Sequence, residues 1–464
     1  MAPESCAYAL ARYSRSPDSI RQSLEWVSRH DSRRFLEHYY FQYGHASIAD
    51  LGHVALCFEG ISELAATEIQ DEPLWDGQAR SSRYQDFSCA GLIVPPEFSS
   101  EQAALYRSAV ARLLEAYGRL HEAMKAVLSE RHPRPVEMPA EAYRRSIAAR
   151  AFDVARYLLV LGVPTNVGQI TSIRTLEKQI RRLKASEYAE LRELAEEMAQ
   201  ACAAPPDCSF RDRVWHEPLA PTLAQFVRRD SYLAQVRDDL RLWACENLPP
   251  PRSTSSPPVD LLRPTDPVAE AVATLLYPVT ERPFRELYEW ALEWSPAVRR
   301  EVLDLAVRTR GERDELPRAF RSAPYVFDLV MDIGAWRDLH RHRRCHQARQ
   351  DFTWDLGYET PPPVVEAGLE QEYRSAIRSA LQTAASLPAP GRHYLLPFAV
   401  RSRFLFKMDF AEADYVCRLR TSVKGHFSYR RVAWEMKQAL ERLEPELGRL
   451  IQATPPWVEA PLRR

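Results

Sequence analysis

A proline- and serine-rich segment divides the chain into two parts of similar size. It covers residues 246–267 (ENLPPPRSTSSPPVDLLRPTDP), where proline and serine disfavour helix and strand over most of the length. The chain has 464 residues, and single domains usually have roughly 100–200. The sequence therefore predicts a first domain over residues 1–245, a linker over 246–267 and a second domain over 268–464.

The two parts contain similar segments in the same order. Each has an arginine-bearing segment followed by QDF, at 85–87 and 350–352, and each later has a YLL segment, at 157–159 and 394–396. Ungapped identity between the parts is weak. The common order of segments, more than residue identity, therefore suggests an internal duplication.

Helical periodicity dominates both parts. Apolar residues recur at helical spacing over 105–128, 176–203 and 428–450, with charged residues between them. Short β-rich runs are fewer, at 91–96 and 394–400. The sequence predicts an α+β protein in which long helices surround modest sheets.

Cationic residues are concentrated in residues 337–354, which hold five arginines and three histidines although the net charge of the chain is −1. Arginine binds phosphate through two parallel hydrogen bonds and keeps its charge, so an anion site is one interpretation. A solvated basic helix face is the alternative. The i, i+4 spacing of His342 and His346 on a helix would suit zinc, but the arginines would repel a dication, so we predict no metal.

Residues 43–62 (YGHASIADLGHVALCFEGIS) contain a second candidate group. His45 and His53 flank Ser47 and Asp50, and a His–Asp pair can do acid–base work. The alternative is a helix capped by Ser47 or Asp50 with its apolar residues facing the core. From these residues alone, the capped helix is the preferred interpretation.

Two further segments carry arginines in positions that suit an anion. Arg80 and Arg83 lie in WDGQARSSRYQDF (75–87), which reads either as a phosphate-binding loop or as an ordinary polar surface loop. Arg156 and Arg174 lie in apolar surroundings, where a charge is costly unless an anion pairs with it. A structural ion pair with a glutamate is the alternative for both.

Composition and missing motifs exclude several classes. The chain lacks G-x-G-x-x-G, P-loop and G-x-S-x-G motifs, which argues against Rossmann oxidoreductases, P-loop hydrolases and α/β hydrolases. Near-neutral charge argues against a protein that coats nucleic acid. No apolar run reaches the about 18 residues of a membrane span or resembles a signal peptide, and no C-x-x-C pair occurs. We expect a cytoplasmic protein with reduced thiols, without a membrane or nucleic-acid partner.

Taken together, the arginine and histidine motifs resemble the flavin-dependent thymidylate synthase family. Arg341, His342 and Arg343 match the R-H-R of the family signature, and SSRY (81–84) matches its S-x-R-Y continuation. Arg156 and Arg174 fall where the family has two substrate-binding arginines. GHASIADLGH in the N-terminal half is also family-like. The resemblance covers most of both halves and is closest to long members in which two such domains are fused.

Each half departs from the family pattern in a different way. In the N-terminal half, residues 71–73 (DEP) occupy the R-H-R position. In the C-terminal half, Asp351 replaces the serine of the signature, and His393 and Ala411 stand where the substrate arginines are expected. The defects are complementary, so the resemblance implies that the halves divide the binding groups of one site.

The resemblance assigns a role to each motif residue. Ser81, Arg83, Arg156 and Arg174 are expected to bind the nucleotide monophosphate, with Arg83 and Arg174 also acting in catalysis. Arg341, His342 and Arg343, together with His45 and Ser47, are expected to bind FAD.

The activity implied by the resemblance is C5 methylation of dUMP, or of a related pyrimidine nucleotide. Methylenetetrahydrofolate would supply the carbon, and NADPH would reduce the FAD. A homodimer of the fused chain would mimic the family's tetramer. The alternatives are a non-catalytic flavin- or nucleotide-binding paralogue and a pyrimidine-modifying flavoenzyme of specialised metabolism.

Overall fold

Two small antiparallel sheets, one in each half of the chain, organise the fold. A computed structural model describes residues 2–30, 46–87, 91–208, 215–251, 257–311, 314, 316–460 and 462. The first sheet has the order β1-β3-β2 and the second the order β4-β5-β7-β6. The strands are β1 (His53–Ser62), β2 (Asp76–Ala79), β3 (Pro164–Ser172), β4 (Val259–Leu262), β5 (Tyr325–Asp332), β6 (His346–Arg349) and β7 (Arg401–Met408).

Helices make up most of the remaining described structure. The N-terminal half contains α1 (Pro3–Tyr13), α2 (Ile20–Val27), α3 (Glu63–Gln70), α4 (Ser100–Arg131), α5 (Ala140–Ala155), α6 (Ile173–Lys184), α7 (Ala189–Ala203), α8 (Pro221–Phe226) and α9 (Ser231–Asn247). The C-terminal half contains α10 (Pro267–Leu276), α11 (Phe284–Glu293), α12 (Pro296–Leu305), α13 (Ile333–Leu339), α14 (Pro362–Glu366), α15 (Glu370–Ser386), α16 (Phe410–Arg420), α17 (Phe427–Leu443) and α18 (Pro445–Gly448). The predicted α+β class is confirmed.

The same path of the chain occurs in both halves. The order β1-β3-β2 reappears as β5-β7-β6. Both β1 and β5 run directly into a short helix whose N-cap closes the turn. Ser62 Oγ accepts from the amide of Ala65 at 2.9 Å, and Asp332 Oδ1 accepts from the amide of Ala335 at 2.7 Å. The repeated topology supports the predicted pair of fused domains.

The two YLL segments pair with each other and join the halves. Gly162 N donates to Tyr394 O at 2.8 Å, and Phe398 N donates to Leu159 O at 2.8 Å. Val160 and Pro397 form an antiparallel bridge between them. Because equivalent segments pair, the halves are related approximately by a two-fold axis through this contact, and one apolar core extends across both.

One face of the second sheet is covered by an extra layer formed by α9, α10, α11 and α12. Asp328 on β5 anchors this layer, because it accepts from Tyr277 Oη and from the amide of Phe284, both at 2.8 Å. Arg403 on β7 donates to the same carboxylate at 2.9 Å. The first sheet differs at β3, where the apolar residue Ile170 is 54% exposed to solvent.

The predicted linker is more ordered than its composition suggested. β4 lies inside residues 246–267 and pairs with β5, so a short strand interrupts a segment whose other described residues mostly form neither helix nor strand. Helix α9 extends two residues into the predicted linker and packs in the core of the extra layer. The domain boundaries at 245 and 268 stay a prediction.

Several local predictions from the sequence are wrong. Residues 53–62, for which a helix was preferred, form β1. The runs at 91–96 and 394–400, expected to be strands, contain no strand. By contrast, the predicted helical character of residues 176–203 is confirmed, with a break at 185–188 between α6 and α7. Strand formation depends on partners distant in the chain, such as the β1–β3 ladder, and local composition does not reveal them.

Seven cysteines in the described residues are free thiols. Within the described part of the chain, no helix combines the length and apolar character needed to cross a membrane.

Candidate functional site

The cation-rich segment forms a turn between α13 and β6. Helix α13 ends at Leu339 and β6 begins at His346. Arg341, His342 and Arg343 therefore lie in a turn, and the helix considered for them from the sequence is wrong. The amide of Gln347 closes the turn, because its Nε2 donates to the carbonyl of His342 at 2.9 Å. The helical i, i+4 geometry considered for zinc is therefore absent, and the described residues contain no group of three or more metal-ligating side chains placed to hold a metal.

A cavity of about 210 Å³ lies where the two halves meet. The N-terminal half contributes residues 78–84 and Arg156 to its wall. Thr67 and Gln70 of α3, also in the N-terminal half, line it as well. The C-terminal half contributes Arg337, Asp338, His340 and Arg341. The structure thus brings Ser81, Arg83 and Arg156 to one cavity with Arg341.

Three of the cavity arginines are held by carboxylates. Arg83 pairs with Asp153 at 2.8 Å, Arg156 with Asp338 at 3.2 Å, and Arg337 with Glu63 at 2.6 Å. The last two pairs cross between the halves. Arg156 is only 2% exposed. The alternative considered for Arg156, a structural ion pair, is therefore present, although its partner is an aspartate.

The buried carboxylates differ in their ionisation. Burial opposes ionisation of Asp338, but the charge of Arg156 and neighbouring arginines outweighs it and lowers the Asp338 pKa. For Glu63, burial dominates the attraction of Arg337 and raises the pKa of the carboxyl. Asp338 is consequently ionised at neutral pH and balances the charge of Arg156.

Arg341 is a cavity arginine that is not paired with a carboxylate of the described residues. Its side chain is exposed, and its guanidinium makes no hydrogen bond or ion pair with any residue that the structure describes. Its backbone carbonyl accepts from the amide of Arg343 at 3.1 Å. Arg80 is also unpaired with a carboxylate, since its Nε donates to Gln85 Oε1 at 2.5 Å and its guanidinium lies over Phe87. Five arginines against three carboxylates leave a net charge of about +2, which favours a doubly charged anion.

A larger groove of about 960 Å³ lies on the other side of Arg341. The N-terminal half lines it with residues 73–76 and 170–172, and the C-terminal half lines it with residues 341–344 and one side of α16. Arg341 therefore belongs to both the cavity and the groove. Arg343 crosses between the halves, pairing with Asp76 at 2.9 Å and lying 5.1 Å above the Trp75 ring.

His342 supports the groove from inside the protein. It is buried, and its Nε2 accepts from Arg420 Nε at 2.8 Å while Nδ1 lies 3.4 Å from Glu412. Burial is the largest influence on its pKa and lowers it, so the ring is neutral at neutral pH. His342 also lines the groove, although it is only 4% exposed, and its contact with a cofactor stays a prediction.

Arg174 is not brought to the cavity with Arg83 and Arg156. Its guanidinium pairs with Asp50 at 3.1 Å, and neither the cavity nor the groove is lined by it. The groove reaches Asp50 instead. Ser47 lies in the 3-10 helix Ala46–Leu51, but the structure does not describe its side chain. His45 lies outside the described residues.

The position related to the cavity by the approximate two-fold axis is filled by internal ion pairs. Asp71, in the place of Arg341, pairs with Arg318 at 3.1 Å. Arg349 pairs with Glu68 at 3.0 Å, and His393 Nδ1 lies 2.8 Å from Tyr188 Oη. The departures at Asp71 and His393 thus lie at a second position whose groups pair with other residues of the chain.

The buried ring of His393 predicts a pH dependence of stability. Burial, followed by the nearby Arg349, lowers its pKa to about 4, against about 6.5 in an unfolded chain. Folding therefore favours the neutral ring, and this contribution is complete above about pH 6.5 and lost as the pH falls towards 4. We expect His393→Gln to reduce the acid-side loss of unfolding free energy by on the order of 3 kcal/mol, measured by urea unfolding from pH 7 to 4. Equal slopes for variant and parent would contradict the assignment.

Sequence reasoning missed several residues of this region. Arg337 stands one turn before Arg341 in the cationic segment, which was the available signal. Nothing in the sequence indicated the carboxylates Glu63 and Asp153, because their partners lie 274 and 70 residues away.

Comparison with known proteins gives matches across both halves. A family model described as thymidylate synthase complementing protein matches residues 1–205 and 287–446. A UPF0159 protein of Chlamydia pneumoniae is 26% identical over 418 residues, spanning 87% of this chain and 77% of its own length. UPF0159 protein Ta1429 of Thermoplasma acidophilum is 24% identical over 489 residues, spanning 96% and 94%. The structure of thymidylate synthase X from Helicobacter pylori with FAD and dUMP covers 43% of this chain and 88% of its own, with 16% identity and a TM-score of 0.29.

Proposed function

Because the chain belongs to the thymidylate synthase complementing protein family, we propose that it is a flavin-dependent enzyme that modifies a pyrimidine nucleoside monophosphate. The proposed reaction is C5 methylation of dUMP, or the same chemistry on a related pyrimidine nucleotide. Methylenetetrahydrofolate would be the carbon donor and NADPH the reductant. The observation that carries the proposal is the net positive cavity that shares Arg341 with a groove of cofactor size.

The cavity suits the phosphate of a nucleoside monophosphate. A phosphate monoester carries about −1.5 to −2 charges at neutral pH, which balances the net charge of about +2 in the cavity wall. Ser81 Oγ accepts from the amide of Arg83 at 3.2 Å, which leaves its hydroxyl hydrogen to donate to a phosphate oxygen. Arg80, Arg83, Arg156 and Arg341 supply the guanidinium groups.

The groove suits FAD. Its volume lies near the upper end of the roughly 300–1,000 Å³ typical of cofactor and ligand sites. Arg341, Arg343 and Arg344 present cations for a pyrophosphate, and Tyr415 presents an exposed aromatic surface for a flat ring system. When bound, FAD would supply the hydride chemistry that converts a transferred one-carbon unit to a methyl group.

The residues of the chain would act mainly by fixed charge. Arg83 and Arg156 are held by Asp153 and Asp338, so no reorganisation is needed when an anion enters. Preorganised cations of this kind stabilise negative charge that develops on a pyrimidine carbonyl as C5 becomes nucleophilic. We propose that Arg341 serves the nucleotide and the flavin together. Arg174, paired with Asp50, would act from outside the cavity.

A non-catalytic paralogue that binds flavin and nucleotide is the second candidate function. It is favoured by the pairing of Arg174 with Asp50, because the resemblance gives this arginine a catalytic role. Both candidates predict binding, and they differ in turnover. In either case we propose a homodimer of the fused chain as the active assembly.

The test is the visible absorption spectrum of the purified protein with FAD, followed by dUMP and then NADPH under anaerobic conditions. The enzyme proposal expects a bound-flavin spectrum that dUMP perturbs and NADPH bleaches, and C5-methylated product once methylenetetrahydrofolate is added. Flavin and dUMP binding without product would favour the non-catalytic paralogue. No flavin binding would overturn both.

A further inference from the structure

Arg420 is an arginine of the groove that the proposed function does not use. It stands at the C-terminal end of α16, is half-buried and lines the groove. Its Nε donates to His342 Nε2 at 2.8 Å. Its Nη1 and Nη2 groups have no hydrogen-bond partner, and its charge has no ion-pair partner, among the residues that the structure describes. The terminal nitrogens of Arg420 are therefore available to an anion in the groove.

His342 fixes the direction of this guanidinium. An arginine only donates, so His342 Nε2 accepts and carries no hydrogen. Burial lowers the pKa of His342, so the neutral ring carries its hydrogen on Nδ1. Nδ1 lies 3.4 Å from Glu412 Oε1, which can accept that hydrogen. The imidazole thus has a partner on each side and presents a fixed acceptor to Arg420.

The Tyr429 ring supports the same guanidinium from a second direction. The guanidinium carbon of Arg420 lies 5.6 Å from the centroid of this ring, within the roughly 6 Å of a cation–π contact. Tyr429 is itself held in place, because it is only 5% exposed and its Oη accepts from Arg83 Nη1 at 3.0 Å. Two contacts therefore position the Arg420 side chain before a ligand enters the groove.

We propose that Arg420 binds the diphosphate of FAD through Nη1 and Nη2, and that His342 acts on the cofactor by positioning Arg420. This inference rests on the proposed function, because it takes FAD as the occupant of the groove. A guanidinium whose Nε is already bonded still presents its terminal N–H groups, which can bond two phosphate oxygens. The proposal also gives a buried histidine a role that needs no contact of its own with the ligand.

The experiment measures the dissociation constant of FAD by fluorescence titration of the full chain, and the inhibition constant of ADP as its competitor. ADP carries a diphosphate without the flavin. We expect Arg420→Ala to weaken FAD and ADP by a similar factor of about 10-fold or more, because bonds to a charged group are lost. Equal ADP inhibition constants for parent and variant, or no displacement of FAD by ADP, would overturn the diphosphate as the group that Arg420 binds.

Arg418→Ala is the matched control on the same helix. Arg418 is exposed, lies 4.0 Å from Asp414 and does not line the groove. Its removal changes the net charge by the same amount and should leave FAD binding nearly unchanged. Equal losses in the two alanine variants would mean that long-range charge explains the result, and would overturn the contact. Arg420→Lys keeps the charge but lacks the Nε–H and the planar fork, and should recover little of the affinity.

A double-mutant cycle tests the role of His342. His342→Phe removes the acceptor for Arg420 Nε and should weaken FAD binding in the parent. In the Arg420→Ala background it should weaken binding little further, because the side chain through which it acts is gone. Losses that multiply would mean that His342 contacts the cofactor itself, and would overturn its positioning role. His342→Gln, whose amide oxygen can accept from Nε, should retain part of the affinity.

The possible failures are distinguishable. A parent that binds no FAD would overturn the proposed function, and the present inference with it. A parent that binds FAD, with the same affinity in folded Arg420→Ala, would overturn the role of Arg420 alone. Thermal unfolding shows whether each variant is folded, and the Arg420 and Arg418 variants keep the proposal testable if His342→Phe does not fold.

Discussion

Arg341→Ala is expected to weaken dUMP binding by about 10- to 100-fold, since hydrogen bonds to a charged group contribute roughly 1.5–3 kcal/mol. Flavin affinity should fall as well, because Arg341 borders both the cavity and the groove. The fold should keep its stability, because Arg341 forms no ion pair with a described residue. Calorimetric titration with dUMP and fluorescence titration with FAD give the two affinities, and thermal unfolding gives the stability.

Arg344→Ala is the matched control for this variant. Arg344 is also exposed and without a hydrogen-bond partner in the described chain, but it lines the groove and not the cavity. Its removal should affect FAD and leave dUMP binding nearly unchanged. If Arg344→Ala weakened dUMP binding as much as Arg341→Ala does, long-range charge and not the position of Arg341 would explain the result.

Asp328→Ala is expected to lower the free energy of unfolding by about 3–5 kcal/mol, the range for removing one member of a buried ion pair. Asp328 is 1% exposed, and its loss leaves Arg403, the hydroxyl of Tyr277 and the amide of Phe284 without this acceptor. The loss should separate the layer of α9 to α12 from the second sheet. Denaturant unfolding measures the change.

Asp260→Ala provides the comparison on the adjacent strand. Asp260 of β4 stands directly opposite Asp328 in the ladder, but its partner Arg285 is largely exposed. Exposed ion pairs contribute about 0.2–1 kcal/mol. Losses of similar size in the two variants would mean that Asp328 does not anchor the layer.

The helices were the most predictable part of the fold. Helix α4 follows from apolar residues at helical spacing over 105–128, and its capping box of Ser99 and Gln102 is also local in sequence. Strand β1 was read as a helix because its ladder partner β3 begins more than 100 residues later. The β6 edge was missed for the same reason, since its partner β7 is distant and the cationic residues before it suggested a helix.

The candidate site was predictable in its residues but not in its pairings. Arg83, Arg156 and Arg341 were identified from motif position, and the structure places them around one cavity. Whether an arginine is neutralised depends on carboxylates from other parts of the chain, such as Asp338 for Arg156, 182 residues away. Arg174 was also identified from its motif position, but it pairs with Asp50 and does not line the cavity.

The pairing of the two YLL segments affects how the site responds to dilution and to mutation. Subunits that meet by diffusion separate at low concentration, whereas two halves of one polypeptide meet at a high effective concentration that dilution does not change. The contact between Arg156 and Asp338 is therefore maintained at any protein concentration. The two halves of a fused chain also have different sequences. A substitution in a homo-oligomer changes every subunit, whereas a substitution in the fused chain changes only one of its two halves. This freedom is in keeping with the sequence, in which one half has Asp71–Glu72–Pro73 at the R-H-R position and the other has Asp351 at the position of the serine.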